Sequence, residues 1–201
     1  MTHGCDGFEF DVRFTRDRRS VLHHDPRLKR RPVAHTEYCG LERRRGYSLT
    51  CLDEVLTRFG ASAYLDIELK VSGDEEAIVA LLQAHPPQRG YVVSSFLPAV
   101  LLRLHALNPD LPLGYVCNDA QSAEMRNHLP ISVFIPHYSL VTRELVDDVH
   151  DSGKQLLTWT VNEQADLLRL AAWRVDGLIS DDPRLLARTF RRETPESSSR
   201  E

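Results

Sequence analysis

Apolar residues recur along the chain in two alternating patterns. Short runs rich in β-branched and aromatic residues fall at 8–14, 63–70, 91–96, 112–117, 132–136, 156–161 and 177–181, and their length and composition read as seven strands. Between them the apolar positions repeat with helical spacing at 48–59, 75–84, 99–107, 142–151, 163–173 and 183–190. Strands alternating with amphipathic helices through short connections imply a parallel sheet wrapped by helices.

Punctuation marks the boundaries. Asn162 reads as a helix N-cap and Gly153 as a helix stop, while Asn108-Pro109 and His85-Pro86-Pro87 end their helices. Residues 1–190 read as one domain, and 191–201, ending Glu-Ser-Ser-Ser-Arg-Glu, as a flexible tail. An open doubly wound sheet can be assembled from the same units. The glycine fingerprint of a nucleotide site, however, follows none of the early strands, which favours a TIM-type (β/α)8 barrel. Such a barrel needs eight strands and typically about 250 residues. Seven strands in 201 residues lead to the expectation that one βα unit is missing.

Composition narrows the class. With 42% hydrophobic and 27% charged residues the chain can bury a substantial single core. No apolar run reaches the roughly 18 to 20 residues of a membrane span, and the first residues lack a signal-peptide pattern, so a cytoplasmic protein is expected. Cys5, Cys39, Cys51 and Cys117 show no metal-type spacing and are expected to be reduced, structural thiols. The net charge of -4 conceals a cationic stretch: residues 13–45 carry 11 Lys and Arg against 4 Asp and Glu. Without interleaved aromatics this stretch fits no nucleic-acid module and reads as a solvated loop that steers anionic substrates.

The chemistry is in the acids. Alternation in Gly7-Phe8-Glu9-Phe10-Asp11-Val12 puts Glu9 and Asp11 on one strand face and the apolar residues on the other. In Leu65-Asp66-Ile67-Glu68-Leu69-Lys70 the acids and Lys70 likewise share a face. Adjacent strands lie about 4.8 Å apart, so Glu68 can meet Glu9 and Asp11 around one hard divalent cation, Mg²⁺ or Ca²⁺. The plainer alternative is a pair of solvated acids on an edge strand. Lys70 is placed for a phosphate oxygen, or for an ion pair with a site acid. Taking Asp17-Arg18 as a two-residue turn, residues whose numbers sum to 35 face each other; Asp11 then opposes His24, which becomes the candidate general acid or base.

These residues closely resemble the glycerophosphodiester phosphodiesterases. The likeness runs through Gly4-Cys5-Asp6-Gly7-Phe8-Glu9-Phe10-Asp11-Val12, His24-Asp25-Pro26-Arg27-Leu28, Leu49-Thr50-Cys51-Leu52-Asp53-Glu54-Val55-Leu56 and Asp66-Ile67-Glu68-Leu69-Lys70. Later segments are Val93-Ser94-Ser95-Phe96, Pro136-His137-Tyr138, Trp159-Thr160-Val161-Asn162 and Val175-Asp176-Gly177-Leu178-Ile179-Ser180-Asp181. The resemblance implies Glu9, Asp11 and Glu68 as ligands of Mg²⁺ or Ca²⁺, His24 as one of two catalytic histidines, and Lys70 as a phosphate contact. It also implies Trp159 on the glycerol side and His137 as a substrate contact. The implied reaction converts a small glycerophosphodiester to sn-glycerol 3-phosphate and an alcohol, with no nucleic acid and no membrane span. The family's opening His-Arg-Gly strand and the helix after it have no counterpart here, in agreement with the strand count. Loss of one general acid or base costs about 10² to 10⁴ in rate, so weak or absent turnover is expected. The alternatives are a non-catalytic metal-binding or phosphodiester-binding barrel and an inactive fragment.

Overall fold

A computed structural model describes residues 4–45 and 48–190. The expected tail at 191–201 lies outside the described residues.

In chain order the strands are β1 (Gly7–Phe14), β2 (Ser20–Leu22), β3 (Arg27–Leu28), β4 (Arg31–Pro32), β5 (Tyr64–Leu69), β6 (Tyr91–Ser95), β7 (Leu113–Cys117), β8 (Val133–Pro136), β9 (Gln155–Thr158) and β10 (Gly177–Leu178). The helices are α1 (Tyr38–Arg45), α2 (Leu52–Phe59), α3 (Glu75–Ala84), α4 (Pro98–Leu107), α5 (Ala120–Ala123), α6 (Arg143–Asp151), α7 (Gln164–Ala172) and α8 (Pro183–Phe190). All seven expected strands are present and pair in parallel in the order β1-β5-β6-β7-β8-β9-β10, with β2 added antiparallel beside β1. This is a curled TIM-type β/α architecture.

Strand parity divides the interior into two layers. Val12, Leu65, Ile67, Leu69, Val93, Leu113 and Phe134 face outward and pack with Leu56, Ile78, Leu101, Leu104, Val146 and Leu167 from the helices. Val92, Val116, Val133 and Ile135 face inward with Phe96, Leu157, Trp159 and Ile179. Gly114 is required in this inner layer: a Cβ there would lie 2.9 Å from both Ile135 Cδ1 and Val92 Cγ2. The inward positions of β1 and β5 are polar instead, which sets the site at one side of the lumen.

Two expectations need correction. Residues 13–45 do not form a solvated loop. They build a small lobe with its own core of Val21, Leu28, Val33 and Leu41, joined by Leu49 and Cys51, while Arg27, Lys29, Arg30 and Arg31 stay on its surface. Nor is Asn162 a helix N-cap; α7 is preceded by Glu163, without a side-chain cap. The Asn162 amide instead accepts hydrogen bonds from the Asp181 N–H and the Ser180 hydroxyl, both 3.0 Å. It thus ties the connections after β9 and β10 together. The expected stop at Gly153 is present, with φ at 74° in the left-handed region that glycine enters without strain. All four cysteines are free thiols.

Candidate metal centre

In the β1–β5 ladder Glu9 pairs with Asp66 and Asp11 with Glu68. Because opposed residues project to the same side, four carboxylates enter the lumen together. The outward faces of both strands are clamped by apolar contacts, for example Phe8 edge-on to Phe59 at 5.1 Å, so neither strand can rotate its acids away. One carboxylate oxygen from each of Glu9, Asp11 and Glu68 lies within 4.8 Å of the others. Lys70, just beyond β5, places its Nζ 2.9 Å from Asp11 Oδ1 and 2.5 Å from Glu68 Oε1. The same ammonium lies 5.5 Å from the centre of the Phe96 ring. The Ser95 hydroxyl donates to the Leu69 carbonyl at 2.7 Å, fixing the chain where Lys70 leaves the sheet.

The electrostatics are those of acids removed from water. Burial first, then the charges of Asp11, Asp66 and Glu68, push Glu9 up to about 8. Burial also raises Glu68, although hydrogen bonding to Lys70 opposes it. Asp66 is raised to about 7 by burial against the pull of the Ser94 hydroxyl, which donates to Asp66 Oδ1 at 2.5 Å. Burial works against the charge on Lys70, yet its bonds to Asp11 and Glu68 prevail and hold its pKa above that of a free lysine. Glu9 Oε1 is buried without a hydrogen-bond partner among the described residues. A buried acceptor left in this way costs about 1–3 kcal/mol. Three hard oxygen donors, one of them unpartnered, fit a divalent cation such as Mg²⁺ or Ca²⁺.

The expected hairpin register is off by one. The ladder pairs Val12 with Leu22, Arg13 with Val21 and Phe14 with Ser20, a sum of 34 rather than 35. The cause is loop length. Thr15 and Arg19 close the hairpin, with the Thr15 N–H donating to the Arg19 carbonyl at 3.0 Å, so three residues turn the chain. The last of them, Arg18, takes φ 58°, the left-handed residue of a three-residue hairpin. Strand pairing therefore does not select His24. Its position comes from the loop after β2, where its charge acts on Glu68 and its Nδ1 lies 3.0 Å from Asp25 Oδ1. His23 turns away, its Nε2 3.2 Å from the Arg27 carbonyl.

Trp159 and His137 form an isolated parallel bridge beyond β8 and β9. Their rings meet edge-on at 5.2 Å, and Trp159 meets Phe96 at 5.5 Å. The Trp159 indole N–H donates to the Ile135 carbonyl at 3.1 Å. Phe96, Trp159 and His137 thus form an aromatic wall that reaches Lys70. The sequence reading assigned no role to Asp66, Ser94 or Arg13. Parity already put Asp66 beside Glu68 and Arg13 beside Asp11, but only the ladder shows which of them lie deep.

The sequence profile of the glycerophosphoryl diester phosphodiesterase family matches residues 1–185. A glycerophosphodiester phosphodiesterase from Caldanaerobacter subterraneus subsp. tengcongensis is 27% identical over 215 residues, covering 96% of this chain and 88% of that protein. One from Bacillus subtilis is 28% identical over 228 residues, covering 90% and 75%. The structure of an Oleispira antarctica phosphodiesterase in complex with the product sn-glycerol-3-phosphate superposes with a TM-score of 0.79 at 26% identity, covering 94% of this chain and 86% of that one.

Proposed function

Because the chain belongs to the glycerophosphoryl diester phosphodiesterase family, we propose that it hydrolyses small glycerophosphodiesters to sn-glycerol 3-phosphate and an alcohol with the help of a divalent cation. The observation that carries this reading is the convergence of Glu9, Asp11 and Glu68 next to Lys70. The Oleispira antarctica protein holds the product this reaction would give, which supports the substrate class.

Glu9, Asp11 and Glu68 would hold the cation. When bound, it neutralises phosphate charge and acts as a Lewis acid on the phosphoryl group. Lys70, now paired with Asp11 and Glu68, would contribute a point charge to a phosphate oxygen. His24 exchanges a proton with the attacking hydroxyl or the leaving alcohol. The wall of Phe96 and Trp159, with His137 at its end, receives the glycerol carbons and excludes water from that side.

Incubating the protein with glycerophosphocholine and Mg²⁺ or Ca²⁺ and measuring released sn-glycerol 3-phosphate tests the activity. Product is expected, with His24→Ala lowering kcat by about 10² to 10⁴. Calorimetry tests the cation site on its own: Glu68→Gln is expected to abolish binding of either ion, and unchanged binding would remove the three-carboxylate assignment.

A further inference from the structure

We propose that Arg13 is a positioning residue: by two hydrogen bonds to the His24 carbonyl it fixes the loop that carries the His24 imidazole at the edge of the carboxylate cluster. The inference rests on the reading of His24 as the acid–base group of the proposed hydrolysis.

Arg13 follows Glu9 and Asp11 on the inward face of β1, so a cation sits in a row of acids. Asp11, Asp25 and Glu68 all act on its charge, yet among the described residues it makes no salt bridge with any of them. Its Nε and Nη2 converge on one neutral acceptor, the His24 carbonyl oxygen, at 2.9 and 2.7 Å. That choice is informative. An arginine left to electrostatics alone would turn to a carboxylate, whereas this one anchors a backbone.

The anchored segment needs an anchor. Regular pairing ends with β2 at Leu22, and the His23 N–H still reaches the Asp11 carbonyl at 3.0 Å. The chain then crosses to β3 through residues 23–26. Among the described residues, His24 bonds to nothing beyond its neighbour Asp25 except Arg13. Its side chain is 73% exposed, so packing does not hold it either. The planar guanidinium suits the task because two N–H groups from one rigid fork meet a single oxygen, which a lysine cannot reproduce. Removing the fork frees His24 and Asp25, between the His23 N–H held by Asp11 and the Pro26 carbonyl that accepts from the Val33 N–H at 3.0 Å, and misplacing a catalytic group by about 1 Å can cost about 10²-fold in rate.

The test combines kinetics with backbone dynamics in the full chain. With glycerophosphocholine and Mg²⁺, Arg13→Gln is expected to lower kcat by about 30- to 100-fold with KM changed less than about twofold, and Arg13→Lys to recover part of the loss. In a His24→Ala background the same change is expected to have almost no further effect, because the two residues act as a unit. An equal loss in that background, or a loss appearing mainly in KM, would show that Arg13 acts on substrate and would overturn the proposal. If the parent chain hydrolyses nothing, the proposed function fails, and amide ¹⁵N relaxation still decides the role of Arg13. Order parameters for His24 and Asp25 should fall from about 0.85 toward 0.6 or below in Arg13→Gln and less so in Arg13→Lys. Unchanged order parameters in both variants would refute it.

Discussion

Lys70 shows most directly how a single side chain links the cation-free protein to its chemistry. Its ammonium already occupies a cationic position between Asp11 and Glu68, two of the three carboxylates that would hold a divalent ion. Lys70→Met removes that competing charge while keeping an unbranched side chain one atom shorter. Unit charges about 4 Å apart still interact by about 4 kcal/mol at an effective dielectric of 20. The expected result is Mg²⁺ or Ca²⁺ binding tightened by about tenfold or more in calorimetry, together with a lower kcat/KM from the lost phosphate contact. Weaker ion binding in the variant would show that Lys70 is no competitor. The acids were legible in the sequence because strand parity fixes which residues share a face whatever the rest of the chain does. His24 was legible only through resemblance. Its parity argument assumed a two-residue turn, and Asp17-Arg18 lacks the glycine that such a turn favours.

Elements were the most legible scale. The seven parallel strands and six long helices expected from periodicity are all present, since each buries an apolar face against a neighbour of the same kind. Their ends depend on local conformations that can be tested singly. Arg174 takes φ 68° directly after α7, with its N–H donating to the Ala171 carbonyl at 2.9 Å. Glycine adopts this conformation freely, so Arg174→Gly is expected to raise unfolding stability by about 0.5–1 kcal/mol. Gly153→Ala, at φ 74° after α6, is expected to lower it by about 1 kcal/mol. Urea midpoints measured side by side test both signs; a stabilised Gly153→Ala would contradict the account of these helix ends. The cationic segment was the least legible. Its short strands and α1 have little amphipathic pattern, and its core is assembled from residues spread between Val21 and Cys51.

For the whole molecule, concentrating carboxylates on one side of the lumen ties folding to pH and to the cation. Glu9 near 8 and Asp66 near 7 both lie above their ordinary values, so folding favours their protonated forms. Their contribution is complete below the usual carboxylate range and is lost as pH rises through about 7 to 8. Without divalent ions the melting temperature is therefore expected to fall between about pH 5 and pH 8.5. Saturating Mg²⁺ or Ca²⁺ should restore most of the loss, by about 2.7 kcal/mol at 100 times Kd, but not in Glu68→Gln. Calorimetric melts with and without chelator supply the measurement; a flat or rising profile without metal would contradict the burial of these acids. No helix among the described residues is long and apolar enough to cross a membrane.

By itself the sequence determined the order of the seven parallel strands and six long helices, the face on which Glu9, Asp11, Glu68 and Lys70 lie, and the family likeness, because these depend on periods of two and 3.6 residues and on local motifs. Only the tertiary structure decided the hairpin register, the burial that lifts Glu9 and Asp66, the aromatic wall and the attachment of His24 to Arg13. Those follow from how far one segment slides against another and how much water is excluded between them, and neither quantity is local to any stretch of the chain.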